Sequence, residues 1–546
     1  MRARDIPCSA FARGKEMKNE KLEHFLNIMI PAVLFGGITG VITAVVINLY
    51  KFLAGKIISL SEEAYHLLAE NLWALLLVVP LLLGVAYLVS LAHKRWPNIK
   101  GGGIPTSIGI LRGAINFKWL STLIGTFFAS LVSFFIGVPL GNEGPSVQMG
   151  TAIGKGAIPR KLKKYKAWRR YTMTGGACSG FAVATGAPIS GVLFAIEEAH
   201  QRISPMIFMV AAVSVSASYL TTSLLAPILG VSVSLFPSLS LINLGAKDIW
   251  IPLAVGAVLG FFAVAFLKFY ELISGIMTTK LVKIPAFVKI FVIFAATLIF
   301  GLISHSFIST GHHLIVDLLL HREVIYMLVL ILLVRMTLTV FANTGGLTGG
   351  VFLPIMAIGA LVSALLGEVA LWLGLDEKYY TVILVLGIVA CVAGMMKMPL
   401  TAIVFAIEAL SLFDNIIFVV ITSVVAFMIT EIFEVKSVGD SVLEHRIHGL
   451  YQGKQAKVID TFVTVEENSF AVGKQIRDIL WPANLFVLSL KRGEEGATVD
   501  QHGGAEMHAG DVLHVRYSTL DEEATREELM AIVNEQDYDI REDKVV

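Results

Sequence analysis

Glu143 stands in the run Gly141-Asn142-Glu143-Gly144-Pro145-Ser146-Val147-Gln148, between the apolar stretch 121–140 and a Gly/Ala-rich segment further on. A charged carboxylate is expensive there, roughly 2.5–3.5 kcal/mol at the centre of a membrane helix. Its neighbours show how it is tolerated. Gly144 permits unusual backbone, and Pro145 suits the first turn of a helix, where a missing N–H costs nothing. Glu143 then lies beside free N–H groups at a helix start, which is a ready anion site. Such a carboxylate can fill the site as an anion, or swing out and take a proton. It can also do no more than stabilise the helix dipole. A second acidic candidate is Glu198. The pair Glu197-Glu198 closes an apolar helix, and adjacent carboxylates repel, which favours holding a proton between them. The plain alternative is a solvent-facing carboxylate at a helix end. His312-His313 follow Gly311 without further ligands at metal spacing, so they read as loop or interface residues. No phosphate-binding loop and no nucleophile–base triad is present.

The elements that must position these groups are broken helices. Gly101-Gly102-Gly103-Ile104-Pro105 and Gly350-Val351-Phe352-Leu353-Pro354 are two further Gly-rich breaks with Pro at a helix start. One such break marks a turn; three inside apolar sequence predict discontinuous helices whose N-termini converge on one anionic ligand. In order, GGGIP, GNEGP and GVFLP match the three selectivity motifs of the CLC family of anion channels and transporters, which the chain resembles over about residues 26–448. The resemblance implies that Glu143 is the external gate, competing with anions and carrying protons, and that Glu198 is the internal proton-transfer residue. It implies anion contacts from all three loops and from Gly439, and a homodimer with one pore per subunit. Gly141, Glu143, Gly144 and Pro145 match the motif, while Asn142 stands where most members have Arg. Gly102 replaces a Ser, and Gly439 a Tyr, whose hydroxyls contact the central anion in many members. Backbone N–H groups of Gly103, Ile104, Phe352 and Leu353, with water, are then expected to hold the ion. The changes at 102 and 142 resemble the fluoride-exporting branch, whereas Phe352 is ordinary for the family.

Composition agrees with a polytopic membrane protein: 546 residues, 55% hydrophobic, 16% charged, mean hydropathy +0.75. A net charge of +1 argues against a nucleic-acid partner. Cys8, Cys178 and Cys391 form neither a disulfide framework nor a zinc site. The first twenty residues hold several Lys and Arg and no apolar core, so no cleaved signal peptide is expected, and Met17 is an alternative start.

Apolar segments follow near 26–52, 72–93, 119–140, 171–198, 205–235, 249–274, 284–304, 324–342, 350–374, 380–396 and 399–433. Residues 155–170 carry eight Lys/Arg and no acid, which places this loop in the cytoplasm. The chain also repeats itself. Residues 188–197 (PISGVLFAIE) match 399–408 (PLTAIVFAIE) at a shift of 211, and 145–150 parallel 354–359 at a shift of 209. Two pairs at nearly one shift indicate a duplication with a site between the repeats. The matched Glu197 and Glu408 suggest a shared structural role, such as holding loop backbone; Glu198 is unmatched, being paired with Ala409. Sequence does not show whether the halves are inverted; the resemblance implies that they are.

After about residue 450 charges rise and long apolar runs stop. Strands are predicted at 458–465, 485–491 and 512–517, with Arg492-Gly493 at a turn, and a helix at 522–534. Val472-Gly473-Lys474 and Gly510-Asp511-Val512-Leu513 resemble the TrkA-C (RCK C-terminal) domain, which implies a small cytosolic ligand-binding or dimerising module.

The resulting expectation is an all-α polytopic membrane domain of two inverted repeats with broken helices (26–448), preceded by a cytoplasmic tail (1–25). A linker (449–457), a cytosolic α+β domain (458–537) and a tail (538–546) follow. The function expected is chloride/proton exchange in a bacterial cell membrane, without enzymatic activity, cofactor or metal. A fluoride/proton exporter, a passive chloride channel and a membrane sensor working through its C-terminal domain are the alternatives.

Overall fold

Inside a bilayer no water remains to satisfy backbone groups, so apolar runs there fold as helices. The computed structural model describes residues 8–158, 166–237, 241–450, 456–492, 497–498 and 503–534, and before residue 29 only the backbone. The first half contains α1 (Cys8–Glu70), α2 (Leu75–Arg95), α3 (Ile104–Leu111), α4 (Trp119–Phe135), α5 (Glu143–Gly156), α6 (Trp168–Thr185), α7 (Pro188–Phe194) and α8 (Pro205–Leu229). The second contains α9 (Trp250–Thr279), α10 (Ala286–Ile303), α11 (His312–Leu320), α12 (Ile325–Thr344), α13 (Phe352–Trp372), α14 (Tyr380–Met395), α15 (Pro399–Leu410), α16 (Ile416–Ile432) and α17 (Val438–Leu450). Among the described residues, eight helices are long and apolar enough to cross a membrane. Others are stubs. The eight residues of α3 rise only ~12 Å against a ~30 Å hydrocarbon core, and such a helix survives where protein buries its ends. All eight are buried. α1 starts at Cys8, within the stretch expected to be a separate tail.

The best-buried helices are not the most apolar. α5 carries Ser146, Gly150 and Gly154 on one face, and α6 carries Thr172, Gly176 and Gly180. A methyl group on Gly150 would lie 2.0 Å from the Gly176 carbonyl oxygen, one on Gly154 2.2 Å from that of Thr172, and one on Gly180 2.2 Å from that of Ser146. The partners step in opposite directions, so the two helices are antiparallel and touch backbone to backbone. Small residues at four-residue spacing allow this, and in lipid such packing replaces the hydrophobic drive. The second half repeats the device with Gly359 against Cys391 and Gly387 against Ser363, between α13 and α14.

The duplicated glutamates fix how the halves meet. Glu197 accepts hydrogen bonds from Leu400 N (2.9 Å), Thr401 N (2.7 Å) and Thr401 Oγ1 (2.7 Å). Glu408 accepts from Ile189 N (2.7 Å), Ser190 N (2.9 Å) and Ser190 Oγ (2.8 Å). Each carboxylate therefore satisfies the orphan N–H groups that open the other half's helix. Because Glu197, just beyond the C-terminal end of α7, caps the start of α15, and Glu408 near the end of α15 caps the start of α7, the two helices are antiparallel mates about a local two-fold. The repeats are inverted, as expected.

Beyond α17 lies a four-stranded antiparallel sheet of order β1-β4-β2-β3, built from β1 (Lys457–Thr464), β2 (Leu485–Arg492), β3 (Ala497–Thr498) and β4 (Val512–Thr519). It is followed by α18 (Glu522–Val533), capped by Asp521 on Ala524 N at 3.1 Å. Leu490, Leu513, Val515, Leu529 and Val533 are buried in its core. The predicted strands and helix stand within two residues of these bounds; Gly493, of the predicted turn, lies outside the described residues. This domain sits on the membrane domain. Tyr171 OH donates to Asp478 O and accepts from Leu480 N, both at 3.0 Å, while Arg202 donates to Ile479 O at 2.8 Å and Arg170 to Leu480 O at 3.1 Å. Lys166 pairs with Glu527. Lys166 and Arg170 of the basic stretch thus touch the C-terminal domain, residues 159–165 lying outside the described residues.

Candidate functional site

The three Gly-rich loops close on one another. Gly103 takes φ +73°, ψ −60°, the conformation of a γ-turn that side chains resist, and Ile104 N donates back to Gly102 O at 2.8 Å. The Ile104 N–H, expected among the donors to an anion, is therefore engaged within its own loop. Gly141 and Gly350 form a two-way backbone bridge, each N–H donating to the other's carbonyl at 2.7 Å. Gly144 wedges between the other two loops: a methyl there would meet Gly102 O at 2.1 Å and Gly350 Cα at 2.7 Å. The starts of α3, α5 and α13 consequently converge, with Pro105, Pro145 and Pro354 all buried in their first turns.

Glu143 is the first residue of α5 and is fully buried. Its carboxylate lies over Gly141, where a methyl group would come within 2.2 Å of Oε2 and 3.1 Å of Leu353 Cβ. The backbone N–H groups of Glu143 itself and of Leu353 face it, yet neither oxygen has a well-formed hydrogen bond. An acidic group is thus seated where helix starts offer positive potential, without being tied down.

Next to it opens a cavity of about 780 Å³ walled in part by Asn142, Leu353, Lys51, Lys56, His312 and His313. Among the described residues no acidic side chain lines it. Lys51 Nζ donates to Val183 O (3.0 Å) and Ser232 O (3.2 Å), and its charge attracts that of Glu143. Val183 is twelve residues along α6 from Tyr171, so this mouth lies ~18 Å from the contact with the C-terminal domain. Asn142 does not leave the mouth without a cation: α1 supplies one from a position no motif marks. The two histidines line this mouth at the start of α11, with His312 Nε2 2.7 Å from Leu235 O.

Glu198 lies on a turn of π-helix (Ala195–Ala199), closed by His200 N donating to Ala195 O at 3.1 Å. Wide turns of this kind often mark functional sites. The Glu198 side chain is 7% exposed and its Oε2 has no partner. Arg112 holds the turn by donating to Glu198 O (2.8 Å) and Ala199 O (3.0 Å). Arg170, which grips the C-terminal domain, also donates to Leu111 O at 2.7 Å, one residue from Arg112. The neighbouring carboxylate differs from the one expected. Glu197 is turned away to cap α15, and the larger repulsion on Glu198 comes from Asp440. Gly439 is brought to the same spot, a methyl there lying 3.1 Å from Glu198 Oε1.

Sequence reasoning missed Lys51, Asp440 and Asn343. A polar residue within an apolar helix was the available signal for Lys51 and Asn343. Asn343 lies beside Gly102 and accepts from Tyr270 OH at 2.5 Å.

Comparison with known proteins agrees with this arrangement. A family model described as voltage gated chloride channel matches residues 83–431. The H(+)/Cl(-) exchange transporter ClcA of Vibrio vulnificus is 27% identical over 458 residues, covering 79% of this chain and 93% of that protein. Among solved structures, a slow cyanobacterial Cl-/H+ antiporter aligns with a TM-score of 0.69 at 23% identity, covering 77% of this chain and 98% of that one. A CLC-type fluoride/proton antiporter aligns with a TM-score of 0.58 at 20% identity, covering 74% and 96% respectively. At these identities the structural likeness establishes a common fold. With three Gly-Pro loops joined around one buried carboxylate and a family match over more than half of its residues, the chain belongs to the voltage gated chloride channel family.

Proposed function

We propose that the protein exchanges a halide, chloride foremost, for protons across the bacterial cell membrane. The observation that carries this reading is the seating of Glu143 among three converging helix starts, fully buried and facing the backbone N–H groups of Glu143 and Leu353. A charged carboxylate in that seat competes with an anion for the same positive potential. An arriving anion displaces it toward the Lys51-lined cavity, where it takes a proton. Returning neutral, it delivers that proton inward. Glu198 receives it at the inner end, where Gly439 approaches its carboxylate. The similarity to an H(+)/Cl(-) exchange transporter of Vibrio supports the exchange reading.

The proposal includes a membrane domain over 26–448 and a cytosolic domain over 458–537, joined by a linker at 449–457. The mouth near Lys51 is external, and the basic 155–170 stretch and the C-terminal domain are cytoplasmic. The protein works as a homodimer with one path per subunit, and its C-terminal domain takes a small cytosolic ligand, acting on Glu198 through Arg170 and Arg112. A fluoride/proton exporter is the second reading, favoured by Gly102 and Asn142. Liposomes loaded with chloride or fluoride test both, with halide efflux and proton uptake recorded together. The proposal expects chloride efflux that drives proton uptake. Chloride efflux without proton movement indicates a passive channel, and proton uptake with fluoride alone indicates the exporter.

A further inference from the structure

Asn343, near the end of α12, is 3% exposed and carries an unsatisfied donor. Its Oδ1 accepts the Tyr270 hydroxyl from α9 at 2.5 Å, while its Nδ2 is buried and donates to nothing. A buried amide N–H without an acceptor is costly, and native structures rarely keep one without a use. The tyrosine fixes the orientation. A phenol has one proton to give, and spending it on Oδ1 turns the two N–H bonds of the amide away from Tyr270.

Those N–H bonds face the loop junction. Nδ2 lies 3.1 Å from the point where a side chain at 102 would begin, with Pro105 Cδ and Gly349 O flanking that point at 3.6 and 3.7 Å. Both neighbouring loops are tied to the same junction, Gly101 N donating to Gly346 O at 3.1 Å and Gly350 bridging to Gly141. The point where a side chain at 102 would begin is therefore closely bordered by a neutral, oriented N–H donor. Such a donor suits a small anion stripped of part of its water and repels a cation.

We propose that the Asn343 amide, aimed by Tyr270, is a ligand of the halide beside Gly102 and sets how tightly the ion is held there. Tyr270 is a positioning residue, since it acts through Asn343. The assignment rests on the halide-transport reading of the junction.

Calorimetric titration of the purified full-length protein with chloride, and separately with fluoride, at constant ionic strength tests it without requiring transport. Wild type is expected to bind. Asn343→Ala should weaken Kd roughly ten- to hundredfold, the loss of one hydrogen bond to a charged group. Tyr270→Phe should weaken it roughly three- to tenfold by freeing the amide to turn. The geometry also predicts a rescue. Gly102→Ser alone is crowded by Nδ2 and should not tighten binding, but in the Asn343→Ala background its hydroxyl has room and should restore most of the affinity. Unchanged Kd for both halides in Asn343→Ala overturns the assignment. Where Asn343→Ala does not fold, Tyr270→Phe decides, because it removes a single oxygen; unchanged binding there overturns the assignment equally. A wild-type protein that binds neither halide overturns the transport reading, and this assignment with it.

Discussion

Helices α7 and α15 run into Glu197 and Glu408, and each carboxylate caps the start of the other helix with three hydrogen bonds. Helices α5 and α13 begin on Glu143 and Phe352, and only the first of these is a carboxylate. Likewise Glu198 follows Glu197, whereas Ala409 follows Glu408. The matched acids are bonded, and the unmatched ones are buried with oxygens left over. The contrast separates scaffold from mechanism. Two inverted copies suffice to build a symmetric frame around a central site. A path that takes a proton at one end and gives it up at the other needs groups that the symmetry does not duplicate.

The comparison can be broken at its strongest point first. Glu143→Gln should lower proton flux at least ~100-fold while halide flux persists, the usual scale for removing a positioned proton carrier; paired flux recordings check this. Glu198→Gln should lower proton flux roughly 10- to 100-fold, again with halide flux retained. Lys51→Met should raise the halide KM roughly three- to tenfold from the side of the Lys51 cavity, leaving the KM from the opposite side unchanged, and Lys51→Arg should restore it. Asp440→Asn should change the proton-to-halide ratio only about two- to threefold, because it perturbs Glu198 without replacing it. Glu197→Gln and Glu408→Gln, alone or together, should leave the ratio unchanged. Each should cost about 1.5–3 kcal/mol of stability, the value of hydrogen bonds to a charged acceptor, read by thermal unfolding in detergent. A shift in the ratio from either matched acid would break the division between scaffold and mechanism.

Much of this was legible in the chain. Gly and Pro at helix starts have few other uses in apolar sequence, so the loops at 101–105, 141–145 and 350–354 announced broken helices without coordinates. The repeat announced the frame and suggested that Glu197 and Glu408 hold backbone, which they do. Strand alternation placed β1, β2 and β4 within two residues. What stayed hidden depends on contacts between distant residues. Asn343 matters because Tyr270, 73 residues away, spends its proton on it, and because its amide lies against Gly102. The neighbour Glu197 was expected to repel Glu198 and does, but the capping of α15 turns that carboxylate aside and the distant Asp440 adds the larger repulsion. Lys51 lies mid-helix in α1 with no motif around it, and only the fold brings it to the cavity beside Asn142.

The most direct test is the ratio of proton to chloride flux in liposomes holding wild type, Glu143→Gln, Glu198→Gln, Glu197→Gln or Glu408→Gln. The ratio should fall toward zero in the first two variants and match wild type in the last two. Equal ratios in all five proteins, or a collapse confined to Glu197→Gln and Glu408→Gln, would contradict the assignment of the proton path to the unmatched carboxylates.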